Sequence, residues 1–444
     1  MRRLVWCGVL LAASWFAPGG AAEAGDAGLV NSETFGGFQF NFNNPGARSL
    51  GMGGAFVAVA DDATAVVANP AGLTILQRPE VSAEYKYTRF TNNIHAFTNT
   101  PDDGSTNTVR SRDFNDSVNT PSFFSFVYPT ERVVLAAFVR ELINYKSTFN
   151  TDGVYLNDPS GVGCVGLPPG LCRLLPVKSE LEMTALNFGL GAGVNLEKEN
   201  PFLPNIGVSL EFSFGRIKSR LDRFDTFGPT GPPNTSALLQ TEEVDSTDLG
   251  IGVNVGLLWH PTKDLSLGAV YRRGPQYDLT FRVNNATGFT ASTPLGFKVP
   301  DVYAAGAAYR FFERLTVAFE ATYIRYSQLV EHFQVPLAET IATQYKLDDK
   351  VELHIGAEYI FFIKNIPLAA RGGFYTNPDH KIRYAGPLNN VDAVGERLLY
   401  NGGKDRYQGT AGLGIVPFPG FQLDFASNYS KDILEFSVSS VFRF

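Results

Sequence analysis

The chain has 444 residues, a formal net charge of −7, 44% hydrophobic and 18% charged residues, with 44 Gly and 36 Phe. The negative balance excludes the basic face that a nucleic-acid partner needs, and after the N-terminus there is no apolar run of the roughly 18 residues a membrane-spanning helix requires. Abundant Gly and aromatics at a mean hydropathy of −0.05 are instead what strands with one lipid-facing and one water-facing side produce.

The first residues read as an export signal. Arg2 and Arg3 precede an apolar stretch from Leu4 to Ala17, and Ala22-Glu23-Ala24 has the small-x-small pattern of a cleavage site. The mature chain is predicted to start near Gly25, after residues 1–24 are removed. Export removes Cys7 and leaves Cys164 and Cys172, seven intervening residues apart in GCVGLPPGLC. In an oxidising compartment these are predicted to close a disulfide. Metal binding is the alternative, but no His or acidic cluster lies nearby.

Residues 25–79 lack strand alternation. Within them runs NPGARSLGMGGAFVAVADDATAVVANPAGLT, from Asn44 to Thr74. Asp61 or Asp62 is suited to cap a short helix over Ala63–Ala68, which Pro70 should end at Asn69. Gly51-Met52-Gly53-Gly54 lacks the Lys and the strand–loop–helix setting of a phosphate loop. Asp61-Asp62 lacks the further oxygen ligands of a cation site. Neither metal nor cofactor is expected.

From Glu80 to the C-terminus, apolar and polar residues alternate in fourteen segments. The first seven are Glu80–Phe90, Ser122–Tyr128, Arg132–Tyr145, Glu180–Asn195, Asn205–Arg220, Asp248–Trp259 and Leu265–Val283. Then come Val299–Arg310, Arg314–Gln328, Lys350–Ile363, Ile366–Thr376, Arg406–Val416, Phe421–Asn428 and Ile433–Phe444. Short turns such as Lys364-Asn365 alternate with long polar stretches such as Thr91–Pro121 and Leu221–Thr247. This asymmetry, the even strand count and the terminal Phe444 predict an all-β fold. It is a transmembrane antiparallel barrel of about fourteen strands (residues 80–444) in the bacterial outer membrane, with residues 25–79 as a small plug containing short helices. Such a barrel is too wide for its own side chains to fill.

The segment GARSLGMGGAFVAVADDATAVVANPAGLT closely resembles the N-terminal hatch of the FadL-like (OmpP1/FadL/TodX) outer-membrane transporters. Asp61-Asp62 followed by Asn69-Pro70-Ala71 carries most of the likeness, and Lys298-Val299-Pro300-Asp301 resembles a second family element. The resemblance implies passive uptake of hydrophobic small molecules, long-chain fatty acids or aromatic hydrocarbons, with sideways release into the membrane. It places the wall opening near the third strand, at Ala136, Ala137, Arg140 and Glu141. Alternation breaks down over Val133–Val139, as a bulge or packing against the hatch would cause. It also implies a monomer in contact with outer-membrane lipid, whose last strand, ending at Phe444, addresses the barrel-assembly machinery. A docking role in secretion, which some relatives adopt, is the alternative.

Alternation turns Lys86, Arg371 and Arg443 inward, where a cation suits a carboxylate ligand. Glu320, Glu352, His354 and Glu358 form an acidic wall opposite. An enzyme is not expected: His354 has no G-x-S-x-G elbow to serve.

Overall fold

The computed structural model describes residues 42–94, 109–163, 167–174, 176–225, 237–285, 290–331 and 344–444. The export signal and Cys164 lie outside them. Cys172 is disulfide-bonded, on a small hairpin of Val154–Asn157 with Leu171–Leu174.

Fourteen antiparallel strands form the wall. They are β1 Glu80–Ile94, β2 Arg112–Pro129, β3 Val133–Asn150, β4 Val177–Val194, β5 Asn205–Asp225, β6 Ala237–Trp259 and β7 Leu265–Arg273, followed by β8 Val302–Phe311, β9 Leu315–Ile324, β10 Lys350–Ile363, β11 Ile366–Asn377, β12 Arg406–Phe418, β13 Phe421–Tyr429 and β14 Ile433–Arg443. Each pairs with its neighbours in the chain, and β1 also pairs with β14, from Glu80 opposite Arg443 to Phe90 opposite Ile433. The sheet therefore closes. Closure is what hydrocarbon demands, because an open strand edge would find no hydrogen-bond partner there. Each of the fourteen alternating segments corresponds to one of these strands.

The faces are inverted relative to a soluble barrel. On β6, Leu249, Ile251, Val255 and Leu257 are exposed outward while Asn254 is buried inward. On β14, exposed Phe436, Val438 and Phe442 oppose buried Glu435, Ser437 and Ser439. An apolar outside around a polar inside is a transmembrane barrel. Exposed aromatics gather at two heights. Tyr128, Tyr309, Tyr359, Phe418 and Phe442 lie towards the short turns, and Tyr303, Tyr323, Tyr407 and Tyr429 towards the long loops. Such girdles mark the two membrane–water interfaces, about 25 Å apart.

The short turns explain themselves locally. Lys364 and Asn365 both take positive φ, 47° and 65°, between paired Ile363 and Ile366. That is the two-residue hairpin turn whose twist suits antiparallel strands.

The wall is uneven in height. Strands β2 to β6 have 18 to 23 residues, whereas β7 to β14 have 9 to 14. The tall strands run on into the stretches expected as loops, Thr91–Pro121 and Leu221–Thr247. On the outer face of the tall wall polar side chains stand in water, bridged across strands by pairs such as Arg216–Asp245 at 3.0 Å and Lys146–Glu182 at 2.9 Å. Alternation therefore vanishes while pairing continues. Conversely, the strand expected over Leu265–Val283 stops at Arg273 and resumes at Gln276. Pro275 has no N–H for the ladder. The resumed part, Gln276–Asn285, forms a hairpin with Thr290–Lys298 and extends the tall wall by pairing with β6, from Phe281 opposite Val244 to Asn285 opposite Gln240.

Ile355, half-exposed outward on β10 midway between the girdles, tests the inversion. Ile355→Lys should destabilise the barrel by about 2–4 kcal/mol in a bilayer, measured by reversible denaturant titration in lipid vesicles. A neutral effect, as on a soluble surface, would contradict a lipid-facing position.

Candidate functional site

The N-terminal segment lies along the inner wall and touches strands around the circumference. Its elements are α1 Ala47–Gly51, α2 Ala65–Ala68 and a 3-10 turn Pro70–Ile75. The helix expected over Ala63–Ala68 begins two residues later. Its N-cap residue, Thr64, makes no side-chain cap bond. Asp62 instead accepts from the Thr64 backbone N–H at 2.9 Å and hydroxyl at 2.5 Å, and Asp61 pairs with Arg48. Burial pushes the Asp62 carboxyl above its ordinary range against the pull of Arg48. The helix ends at Asn69, which is extended and caps the next turn by accepting from Ala71 N at 3.1 Å. Its amide donates to the carbonyls of Val57 at 2.8 Å and of Leu257 on β6 at 3.0 Å. One side chain thus joins two turns of the segment to the wall.

Wall glycines let the segment approach this closely. A Cβ at Gly207 would collide with Pro70, one at Gly256 with the Asn69 side chain, and one at Gly268 with the Val57 carbonyl. Further round, Gly356 meets Met52 and Gly373 meets Gly53. Five strands, β5, β6, β7, β10 and β11, each give up a side chain where the backbone of the segment or Asn69 passes. Gly53 itself, at φ 65°, has a conformation that favours glycine.

Charged groups complete the docking. Glu320 on β9 accepts from the backbone N–H groups of Phe56 and Val57, each at 2.9 Å. Glu358 on β10 receives Arg48 at 2.8 Å and Arg371 at 2.6 Å, and Arg371 continues to Asp424 at 2.7 Å. His354 has Nδ1 2.8 Å from the Gly53 carbonyl and Nε2 3.6 Å from Glu352. The inward acidic wall thus engages the segment as well as wall cations. Arg371 is enclosed in this network, and Arg443 pairs with Glu80 at 2.7 Å at the short-turn end. Arg371 and Arg443 border a smaller concavity beside Arg48, whereas Lys86 lines a larger space on the other side of the segment and lies 3.3 Å from Glu435.

That space is a cavity of about 1050 Å³ on the long-loop side of the segment, reached by β1, β3, β5, β6, β7 and β8. Phe90, Ile143, Tyr145, Val253 and Val302 supply apolar surface. Arg140 enters it held by Glu211 at 2.8 Å. Arg272 is the residue that sequence reasoning missed. Its Nη2 donates to the Asn44 side chain and the Ala68 carbonyl, both at 2.6 Å. Its Nε is buried without a partner, and no carboxylate among the described residues lies within ion-pair distance. Its place before Gly274-Pro275, at the end of a strand, was the available signal.

The wall beside this cavity is split. The β2–β3 ladder stops at Phe123 opposite Arg140. Beyond it β2 pairs only with β1, and β3 only with β4, with a register shift between Glu141 and Ile143. Ala136 and Ala137 lie within the paired part, opposite Val127 and Phe126. Alternation, expected to fail over Val133–Val139, holds there and is lost over Val139–Leu142, where the bulge adds an unpaired residue. Further out, Asp116 on β2 accepts from the Thr148 N–H and hydroxyl on β3, both at 2.8 Å. Behind the split, Tyr145 donates to Asn92 at 2.9 Å and packs edge-on to Phe90.

Residues 185–375 match the sequence profile of the family described as outer membrane protein transport protein (OMPP1/FadL/TodX). That stretch contains Lys298-Val299-Pro300-Asp301 but not Asp61-Asp62 or Asn69-Pro70-Ala71. A Pseudomonas aeruginosa FadL homologue superposes with TM-score 0.63 at 13% identity, over 92% of this chain and 100% of that one. The Ralstonia pickettii toluene transporter TbuX gives 0.57 at 14%, over 91% and 99%. The P. putida toluene transporter TodX gives 0.57 at 13%, over 91% and 99%. Comparison with curated proteins finds no match. At such identities the structures share the fold.

Placing a side chain in the glycine belt should unseat the segment. Gly356→Val is expected to leave the barrel heat-modifiable on a gel while raising small-solute entry in liposome swelling. Unchanged swelling would show that this close contact does not hold the pore shut.

Proposed function

We propose that this FadL-like barrel admits amphipathic hydrophobic acids, such as long-chain fatty acids, through the outer membrane without energy input. Arg272 carries this reading. A purely hydrocarbon ligand gains nothing from a cavity-lining guanidinium that has no carboxylate of the described residues within ion-pair distance, whereas a carboxylate ligand would pair with its charge. Phe90, Ile143 and Val253 would take the chain. Residues 44–76 act as the hatch beneath the ligand, anchored by Glu320, Glu358 and Asn69. The split above Phe123 and Arg140 is the sideways exit, closed at rest by Tyr145, Asn92 and Phe90. In support, the cavity is lined by Glu141 to Tyr145, at the edge of the split. The protein needs no catalytic group, and His354 is occupied in docking the hatch.

The test is uptake of labelled oleate and of toluene by cells with and without the gene, and with Arg272→Met. A charge-assisted hydrogen bond is worth about 1.5–3 kcal/mol, or roughly 10- to 100-fold in affinity. Oleate uptake should fall on that scale at limiting concentration while toluene uptake is unchanged. Toluene uptake alone would redirect the proposal to aromatic hydrocarbons. Uptake of neither, with a secretion defect on deletion, would favour the docking role.

A further inference from the structure

The split in the wall stands at a definite height. On β4 the outward side chains change from Leu190, Phe188 and Leu186, all exposed, to Thr184, Glu182 and Glu180. On β5 they change after Phe212 and Phe214 to Arg216 and Lys218, and on β6 after Ile251 and Leu249 to Thr247 and Asp245. Leu186, Phe214 and Leu249 are neighbours in one row, and that row meets β3 at Glu141. Along β2 the same change falls between Phe124 and Asn119. Hydrocarbon therefore ends, and the headgroup layer begins, at the level where the β2–β3 ladder stops.

Local sequence makes the strands part there. Pro121 brings no N–H to β2, and the ladders to either side pass over Ser122 and Leu142, so both strands bulge at once. The cavity reaches into the gap. Leu142 and Asn144 line it, although Asn144 has the outward place on β3 between buried Ile143 and Tyr145. Arg140 stands at the base of the gap and engages Glu211 through Nε and Nη2. Among the described residues its Nη1 has no partner. Below, from Phe123 opposite Arg140 to Pro129 opposite Val134, the wall that faces hydrocarbon is paired throughout.

We infer that the split is a two-way portal between the cavity and the headgroup layer of the outer leaflet, through which long-chain acids already dissolved in that leaflet reach Arg140. An acid in a bilayer keeps its carboxylate at the interface, because a charge in hydrocarbon is costly. It enters at its own resting height, with no charge taken through the membrane core. A neutral hydrocarbon rests in the core, against paired wall, and has no such path. The portal rests on the reading of the split as the side opening and adds a second source of ligand to it.

The test uses the full-length barrel in lipid vesicles with oleate, carrying a diazirine on its chain, mixed into the lipid. Albumin in the water removes free acid. Illumination fixes the oleate where it lies, and mass spectrometry maps the adducts. Cavity-lining Phe90, Ile143 and Val253 should be labelled. Counting along the intact ladders, Glu84 to Tyr87 on one side and Asn187 to Thr184 on the other, puts Asn119 and Asn144 at one level across the split. In N119C/N144C bridged by a short bifunctional thiol reagent, cavity labelling from the lipid should be lost relative to the same variant unbridged. A diazirine alkane in the same lipid should leave the cavity unlabelled, and heat-modifiable migration shows that each variant is folded. Undiminished labelling in the bridged barrel, or equal labelling by the alkane, overturns the portal. Bridged barrels given the oleate from the water should still be labelled. If the wild type is labelled from the water but not from the lipid, the portal falls and the proposed function stands. Labelling by neither route overturns both.

Discussion

A backbone in hydrocarbon has to satisfy every N–H and C=O from within the chain, and the rest of this structure follows from that requirement. It forces the sheet to close through β1 and β14, and closing fourteen strands encloses more space than inward side chains can occupy. The space is occupied by the chain's own N-terminal residues. Their backbone lies close against the wall where glycines such as Gly207, Gly268 and Gly356 leave room, so part of the high glycine content that marked the composition is an imprint of this second, inner layer.

Docking that inner layer depends on charge as much as on shape. The inward wall is polar, so the segment meets it through ions held at both ends. Arg48 reaches Asp61 on its own segment and Glu358 on the wall, and Glu358 leads on through Arg371 to Asp424. A buried pair contributes little over a hydrophobic substitute, yet removing one partner is costly. Such a network fixes position more than it adds stability. Arginine suits it, because a planar fork bridges two carboxylates where an ammonium would serve as one point charge. Above the segment, Arg272 also ties the wall to it, through Asn44 and the Ala68 carbonyl, but with neutral acceptors where Arg48 and Arg371 meet carboxylates.

The barrel was legible because lipid on one side and water on the other imprint period-2 alternation on every membrane-crossing strand. Where the outward face leaves lipid for water, as at Arg216 and Asp245, polar side chains replace the outward apolar ones and the imprint fades, and so the tall half of the wall read as loop. The hatch residues were legible as a likeness. What each one touches was not: Asp61-Asp62 looked like a helix cap, and the segment's Arg48, 310 residues from Glu358 in sequence, had no local pattern. Alternation turned Arg371 and Lys86 inward alike, but it cannot say that one is clasped between Glu358 and Asp424 and the other, beside Glu435, lines the large cavity. The glycine belt is invisible for the same reason. Each glycine is ordinary on its own strand, and only closure of the wall brings them to one level.

The contacts of the N-terminal segment also reach to the far end of the chain. Ala47 N donates to Ser439, 392 residues away, and Thr410 donates to the Gly51 carbonyl across 359. Contacts so distant in the chain form slowly, since the loop between them must first be organised. Full seating of the N-terminal segment therefore waits on strands from the far end of the chain, and it is complete only once β12 and β14 stand beside it.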